Sequence, residues 1–211
     1  LIGFAETVPH SIARNEYYNS MFSMGSSPEQ RYRKHHLVPF GEFIPFKPLF
    51  GWIIQVLNIP LSDFSRGSLD QQPLDLAGQK VAINICYEDV FGEEIILQLP
   101  QASILVNVSN DAWFGRSIGP RQHLQISQMR ALETGRYMLR ATNTGVTAII
   151  NERGQIVQEL EMFVTQGLHG TAQGFKGATP YVQYGNTLVL TIIGLCLSLG
   201  GFIAFFRKEN D

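Results

Sequence analysis

The sequence predicts an α/β or α+β sandwich followed by one membrane-spanning helix, and three observations carry that expectation. Short apolar runs rich in β-branched residues alternate with helical stretches through residues 1–180. Hydrophobic residues make up 45% of the chain and charged residues only 16%, well under the roughly one quarter usual in soluble domains. The missing charge is concentrated near the C-terminus, where Thr187–Phe206 (TLVLTIIGLCLSLGGFIAFF) carries none. The 211 residues suffice for one sizeable domain.

Taken in order, Leu1–Ala5 and Tyr17–Met24 read as strands, the second closed by Gly25 and Pro28. Phe40–Pro60 (FGEFIPFKPLFGWIIQVLNIP) is dense in aromatics and broken by proline, so it is no core helix. It either folds back on the domain or forms an arm that meets a membrane or an apolar substrate. Val81–Cys86 (VAINIC) and Ile104–Ser109 (ILVNVS) have the composition of buried strands. Between them Gly92–Leu99 suits a short helix stopped by Pro100. Gly119–Pro120 opens a longer helix, Arg121–Gly135, with proline where a first turn tolerates it. Tyr137–Thr142 and Val146–Asn151 follow as strands. Glu152-Arg153-Gly154 then turns the chain into Gln155–Glu161, completing a hairpin.

Thr187–Phe206 would rise through roughly 30 Å, the thickness of a bilayer's hydrocarbon core. Arg207 and Lys208 follow, which places residues 207–211 in the cytoplasm and residues 1–180 on the outer side. A net charge of −2 with no Lys/Arg cluster argues against a nucleic-acid partner. Two cysteines, Cys86 and Cys196, form no disulfide framework; Cys196 falls inside the apolar span as a small hydrophobe. Leu1–Glu6 reads as a strand entered partway, with neither an initiator Met nor a signal peptide, so a fragment of a longer protein is expected.

Three clusters could carry chemistry. Cys86 ends an apolar strand and is followed by Tyr87, Glu88 and Asp89; strand ends collect active sites, though a free cysteine is more often a packed hydrophobe. Few thiols ionise at neutral pH, so a working Cys86 needs a base or a nearby cation. Lys34, in RYRKHHLVPFGE, is either a solvated surface charge or a fixed cation beside an oxyanion. His35 and His36 lack further His or Cys partners at ligand spacing, and His123 reads as a helix-surface or packing residue, so no metal is expected. In NVSNDAWFG, Trp113 and Phe114 either cap the core or contact an acyl chain. No G-x-S-x-G elbow or phosphate loop occurs.

KHHLVPFGEFIPF (Lys34–Phe46), ICYED (Ile85–Asp89), NDAWFG (Asn110–Gly115) and RALETGRYMLRATNTGVTAII (Arg130–Ile150) together resemble the apolipoprotein N-acyltransferase family. That family lies within the nitrilase (carbon–nitrogen hydrolase) superfamily, and the likeness runs over essentially the whole chain. The resemblance implies an αββα sandwich with some N-terminal strands missing, and a Glu–Lys–Cys triad. Cys86 matches the nucleophile and Lys34 the triad lysine. Glu42, Tyr87 and Glu88 match accessory positions, and Phe43, Trp52, Trp113 and Phe114 are the candidates for lipid contact. The family's glutamate base lies upstream of the lysine; Glu6 lacks its context, so the base is expected outside this sequence. The implied reaction moves an acyl chain from a phospholipid through a cysteine thioester to the α-amine of a diacylated apolipoprotein, at the bacterial inner membrane and without metal or cofactor. A nitrilase-type amidase and an inactive membrane-tethered interaction domain are the rival readings.

Overall fold

The computed structural model describes residues 1–9, 15–25, 28–46 and 64–208. Strand β1 (Ile2–Pro9) pairs antiparallel with β2 (Asn15–Phe22), and β2 with β3 (Arg31–Arg33), giving a three-stranded sheet. A six-stranded sheet follows, in the order β4 (Leu74–Leu76), β5 (Gln79–Ile85), β6 (Ile104–Ser109), β7 (Tyr137–Thr142), β8 (Ala148–Ile150), β9 (Ile156–Glu159). Its centre, β5-β6-β7, is parallel, and its flanks are antiparallel. Parallel neighbours need crossovers. Helix α1 (Gly92–Ile95) lies between β5 and β6, and α2 (Gly119–Thr134) between β6 and β7.

Alternation along the central strands sorts two cores. Val81, Ile83 and Ile85 of β5 join Val106 of β6 against Met21 and Tyr32 of the smaller sheet. The opposite faces, Ala82, Leu105 and Met138, pack with Ile95, Leu124 and Ala131 of the helices. Helices, six-stranded sheet and three-stranded sheet are therefore stacked as three layers, which agrees with the expected α/β sandwich.

The strand at Tyr137–Thr142 and the β6 run fall where the sequence puts them. Other bounds shift for local reasons. The expected Gly92–Leu99 helix divides into α1 and a 3-10 turn, Ile96–Gln98. Helix α2 starts earlier, at Gly119, and stops where Gly135 turns left-handed (φ 63°), the backbone form that glycine adopts without steric cost. Short β3 and β4 escaped the sequence reading because three residues carry no periodicity.

After β9 the chain returns across the domain without regular structure. Arg136, buried at the start of β7, donates to the carbonyls of Ala102 and Gly177, and Thr179 donates to that of Glu133. Helix α3 (Pro180–Tyr184) follows, and the Asn186 amide donates to Glu93 of α1 at 3.0 Å. The C-terminal helix α4 (Thr187–Lys208) is 22 residues long, and its leucines, isoleucines and Phe202 stand exposed on all sides. Its side chains are described without a break over residues 187–203, about 25 Å of helical rise. Among the described residues no helix is long and apolar enough to cross a membrane.

Candidate active site

Strand β5 ends at Ile85, and the next residue leaves the sheet. Cys86 has φ 52°, a left-handed backbone that costs a non-glycine residue roughly 1–2 kcal/mol. It opens a 3-10 turn, Cys86–Val90, at the carboxyl end of a parallel strand, the edge where ligands collect in such sheets. The sharp turn frees the thiol from the strand's alternation. The Sγ is then met by the Tyr87 backbone amide and the Ser109 hydroxyl, with the Lys34 charge nearby. Burial nevertheless dominates and pushes the thiol's pKa up, and Glu42 adds to that. The resting group is a protonated thiol.

Lys34 follows β3 and is only 1% exposed. Its amide donates to the Asn19 carbonyl and its own carbonyl accepts from Gly67, so both sides of its backbone are fixed. A Cβ on Gly67 would collide with the Arg33 carbonyl, which makes glycine the residue that allows this approach. The ammonium reaches the Glu42 carboxylate at 2.7 Å. Glu42 also accepts from the Val38 amide and the Asn19 side chain. A buried cation needs such a partner.

Glu88 ties the two halves together. Its carboxylate accepts from the amides of His35 and His36, directly after Lys34, from the Ile85 amide, directly before Cys86, and from the Tyr32 hydroxyl. Burial outweighs these donors and raises its pKa to about 7. Glu88 thus acts through the backbone, joining the lysine segment to the cysteine turn. Tyr87 meets Phe91 edge to face at 5.1 Å, and Phe91 stacks on His36 at 3.5 Å.

The remaining expected residues fall in different places. Trp113, on the 3-10 turn Asp111–Phe114 after β6, is 70% exposed, and Phe114 beside it is also exposed. Trp113 does not cap the core, whereas the Phe114 ring lies edge-on to buried His123 at 6.2 Å. Phe43 is half-buried with Arg66 over its ring at 5.0 Å. Trp52 lies outside the described residues. Glu6 is held by Arg31, Arg33 and Ser20, and those partners keep its carboxyl below the usual range. Its bonds make it a strut of the smaller sheet.

Beneath the cysteine lies a buried polar lattice that the sequence reading did not assemble. Asn84, Asn107 and Arg140 occupy one row across β5, β6 and β7. Arg140 donates to Asn107 at 2.6 Å and to Asp111 at 3.0 Å, and lies 3.4 Å from Asp89. Helix α2 lowers His123 and Ser127 onto this row, and Ser127 donates to Asp89 at 2.7 Å. Far from being a helix-surface residue, His123 is buried between Asp89 and Asp111. One signal was legible: Arg140 shares a strand face with apolar Met138 two residues before it, and an arginine facing a core must be paired.

Comparison with known proteins agrees with this architecture. The carbon–nitrogen hydrolase family model matches residues 1–168. An apolipoprotein N-acyltransferase of Nitrosomonas europaea is 77% identical over 100% of this chain, which spans 42% of that protein. One of Chromobacterium violaceum is 52% identical over 91% of this chain and 37% of its own length. The chain therefore covers about two fifths of these curated relatives. Among solved structures, the C. elegans NitFhit protein superposes with a TM-score of 0.54 at 19% identity, over 70% of this chain and 36% of that one, a likeness of fold.

Proposed function

This chain belongs to the carbon–nitrogen hydrolase family, and from that premise we propose that it is the thiol-bearing part of an apolipoprotein N-acyltransferase, with a phospholipid as acyl donor. The observation that carries the reading is the left-handed Cys86 turn, whose thiol meets the Tyr87 amide beside the buried Lys34. The names of the relatives agree with it.

In the proposed reaction a carboxylate base takes the Cys86 proton. Among the described carboxylates around the site, Glu6, Glu42 and Glu88 are each engaged by several donors, and we assign the base to none of them. The thiolate attacks the phospholipid ester carbonyl. Lys34 and the Tyr87 N–H stabilise the oxyanion that forms, the kind of contact that is worth most in a water-poor pocket. The ester C–O bond breaks, the departing alkoxide takes the proton back as a lysophospholipid, and the acyl group remains on Cys86 as a thioester. The α-amine of a diacylated apolipoprotein then attacks that carbonyl. The C–S bond breaks, the amine's proton returns to the thiolate, and the N-acylated product leaves.

Delivery of two lipids fits a membrane anchor. Carried to its end at Lys208, α4 would rise about 33 Å, enough for the hydrocarbon core, and we assign it as the span. The catalytic domain would then face the periplasm and residues 207–211 the cytoplasm. The Glu93–Asn186 bond ties the start of α4 to the helix directly after the Cys86 turn, so the thiol would sit at a fixed height above the bilayer. Exposed Trp113 and Phe114 would meet acyl chains there, and Phe43 and Trp52 are assigned the same role.

The test uses the full-length enzyme with phosphatidylethanolamine vesicles and a diacylated lipopeptide. Wild type is expected to gain the mass of one acyl chain on Cys86 and to pass it to the peptide amine. Cys86→Ala should show no adduct, and Lys34→Met should lose about 10²–10³-fold in acylation rate. Free fatty acid without N-acyl peptide would establish a hydrolase instead.

A further inference from the structure

The lattice under Cys86 holds a feature that the acyl-transfer reading does not use. The Cys86 carbonyl, turned inward by the left-handed backbone, is reached by Asn107 Nδ2 at 3.2 Å and by His123 Nε2 at 3.3 Å. The same Nε2 lies 2.9 Å from Asp89 Oδ1, and Nδ1 lies 3.2 Å from Asp111 Oδ1. Carboxylates only accept hydrogen bonds. A ring with a carboxylate at each nitrogen is satisfied only when both nitrogens carry a proton.

We propose that His123 is a positioning residue for Cys86: as an imidazolium clamped between Asp89 and Asp111, it hydrogen-bonds the Cys86 carbonyl from below and fixes the turn that presents Sγ and the Tyr87 N–H together. The inference rests on Cys86 being the nucleophile. Charge balance favours it. The charged groups facing His123 are Asp89 from the cysteine turn, Asp111 from the turn after β6, and Arg140 from β7. Two anions against Arg140 alone would leave a buried negative charge behind the thiol, and the imidazolium cancels it. The two aspartates overcome burial and raise the pKa of the ring. Gly145 completes the cradle, since a Cβ there would overlap the Asp111 carboxylate.

A residue that only stabilises the fold and one that aims the turn give different kinetics. Iodoacetamide needs only an accessible thiolate, whereas acylation also needs the oxyanion donor in place, and misplacing reacting groups by about 1 Å costs on the order of 10²-fold. In the full-length enzyme, His123→Leu is expected to slow single-turnover acylation by phosphatidylethanolamine about 10²-fold while the alkylation rate of fully ionised Cys86, read from the plateau of its pH profile, and the KM for phospholipid stay at wild-type values. His123→Gln, which retains a donor, should recover part of the rate. Solid-state ¹⁵N spectra should show both His123 ring nitrogens protonated at neutral pH. Wild-type acylation in His123→Leu, a proportional loss of acylation and alkylation, or one bare ring nitrogen would each overturn the proposal. Should His123→Leu not fold, Asp111→Asn takes its place with the same expected split. If wild type forms no adduct from phospholipid, the acyl-transfer reading fails, and p-nitrophenyl acetate as donor still measures the effect of His123 on Cys86.

Discussion

The floor beneath Cys86 and the C-terminal helix α4 invert each other's chemistry. The first buries charge: Asp89, Asp111, His123 and Arg140 lie within a few ångströms of one another, away from water. The second exposes grease along its whole length, from Leu188 to Phe205. Each arrangement is costly in water for an opposite reason. Buried ions are tolerable only when every partner is present, and an all-apolar helix is stable only where its surroundings are apolar too. The contrast shows how the two regions divide the work. One fixes the strained Cys86 turn with directional bonds, and the other, on the reading proposed above, places it against lipid with none.

Breaking the lattice should have the largest effect. Arg140→Met leaves Asp89 and Asp111 facing each other with only His123 between them, and removing one partner of a buried ion pair costs about 3–5 kcal/mol. Denaturant unfolding of the purified protein is the measurement, and a loss under about 1 kcal/mol would show that the lattice does not hold the fold.

Glu88 sharpens the same side of the comparison through pH. Its carboxyl is raised from 4.5 to about 7, so between those values the folded state binds the proton that the unfolded chain releases. Stability should therefore fall as pH rises from 4.5 to 7, by about 3 kcal/mol from this group. Glu88→Gln should flatten that part of the pH–stability curve. His123 has the sign of a raised base: its contribution is full below pH 6.5 and is lost as pH climbs through the higher folded value.

The other side is broken by charge. Leu195→Arg places a guanidinium midway along α4, and on the assignment of α4 to the bilayer it should cost roughly 2.5–3.5 kcal/mol of insertion. Fractionation reads this directly: the variant should partition less into membranes, and unchanged partitioning would remove α4 as the anchor. The smallest effect on folding belongs to Trp113→Ser. At an exposed site it should change stability by no more than about 0.5 kcal/mol, while lowering the acylation rate with vesicle-borne donor if the indole meets lipid.

Much of the architecture was legible because it rests on local periodicity. The β-branched run Val81–Ile85 announces a strand, and Gly135 announces the end of α2. The lattice was not legible in the same way. His123, Ser127 and Thr134 make half of α2's buried face polar, so the helix shows no clean apolar stripe, and His123 reads as a surface or packing residue. Asp89 and Asp111 look like turn residues, which they are, until the fold shows that their side chains point inward. Glu88 carries no mark of its role as the link between Lys34 and Cys86, because the His35 and His36 amides it holds are distant in sequence.

The sequence by itself determined the order of the longer strands and helices, the apolar C-terminal run and the motifs around Lys34 and Cys86, since each is written in neighbouring residues. The tertiary structure alone decided that Cys86 takes a left-handed turn, that Lys34 is buried against Glu42, and that four charged side chains from three separate elements and a helix converge beneath the thiol. Burial and hydrogen-bond partnership depend on which distant segments meet, and no local pattern encodes that meeting.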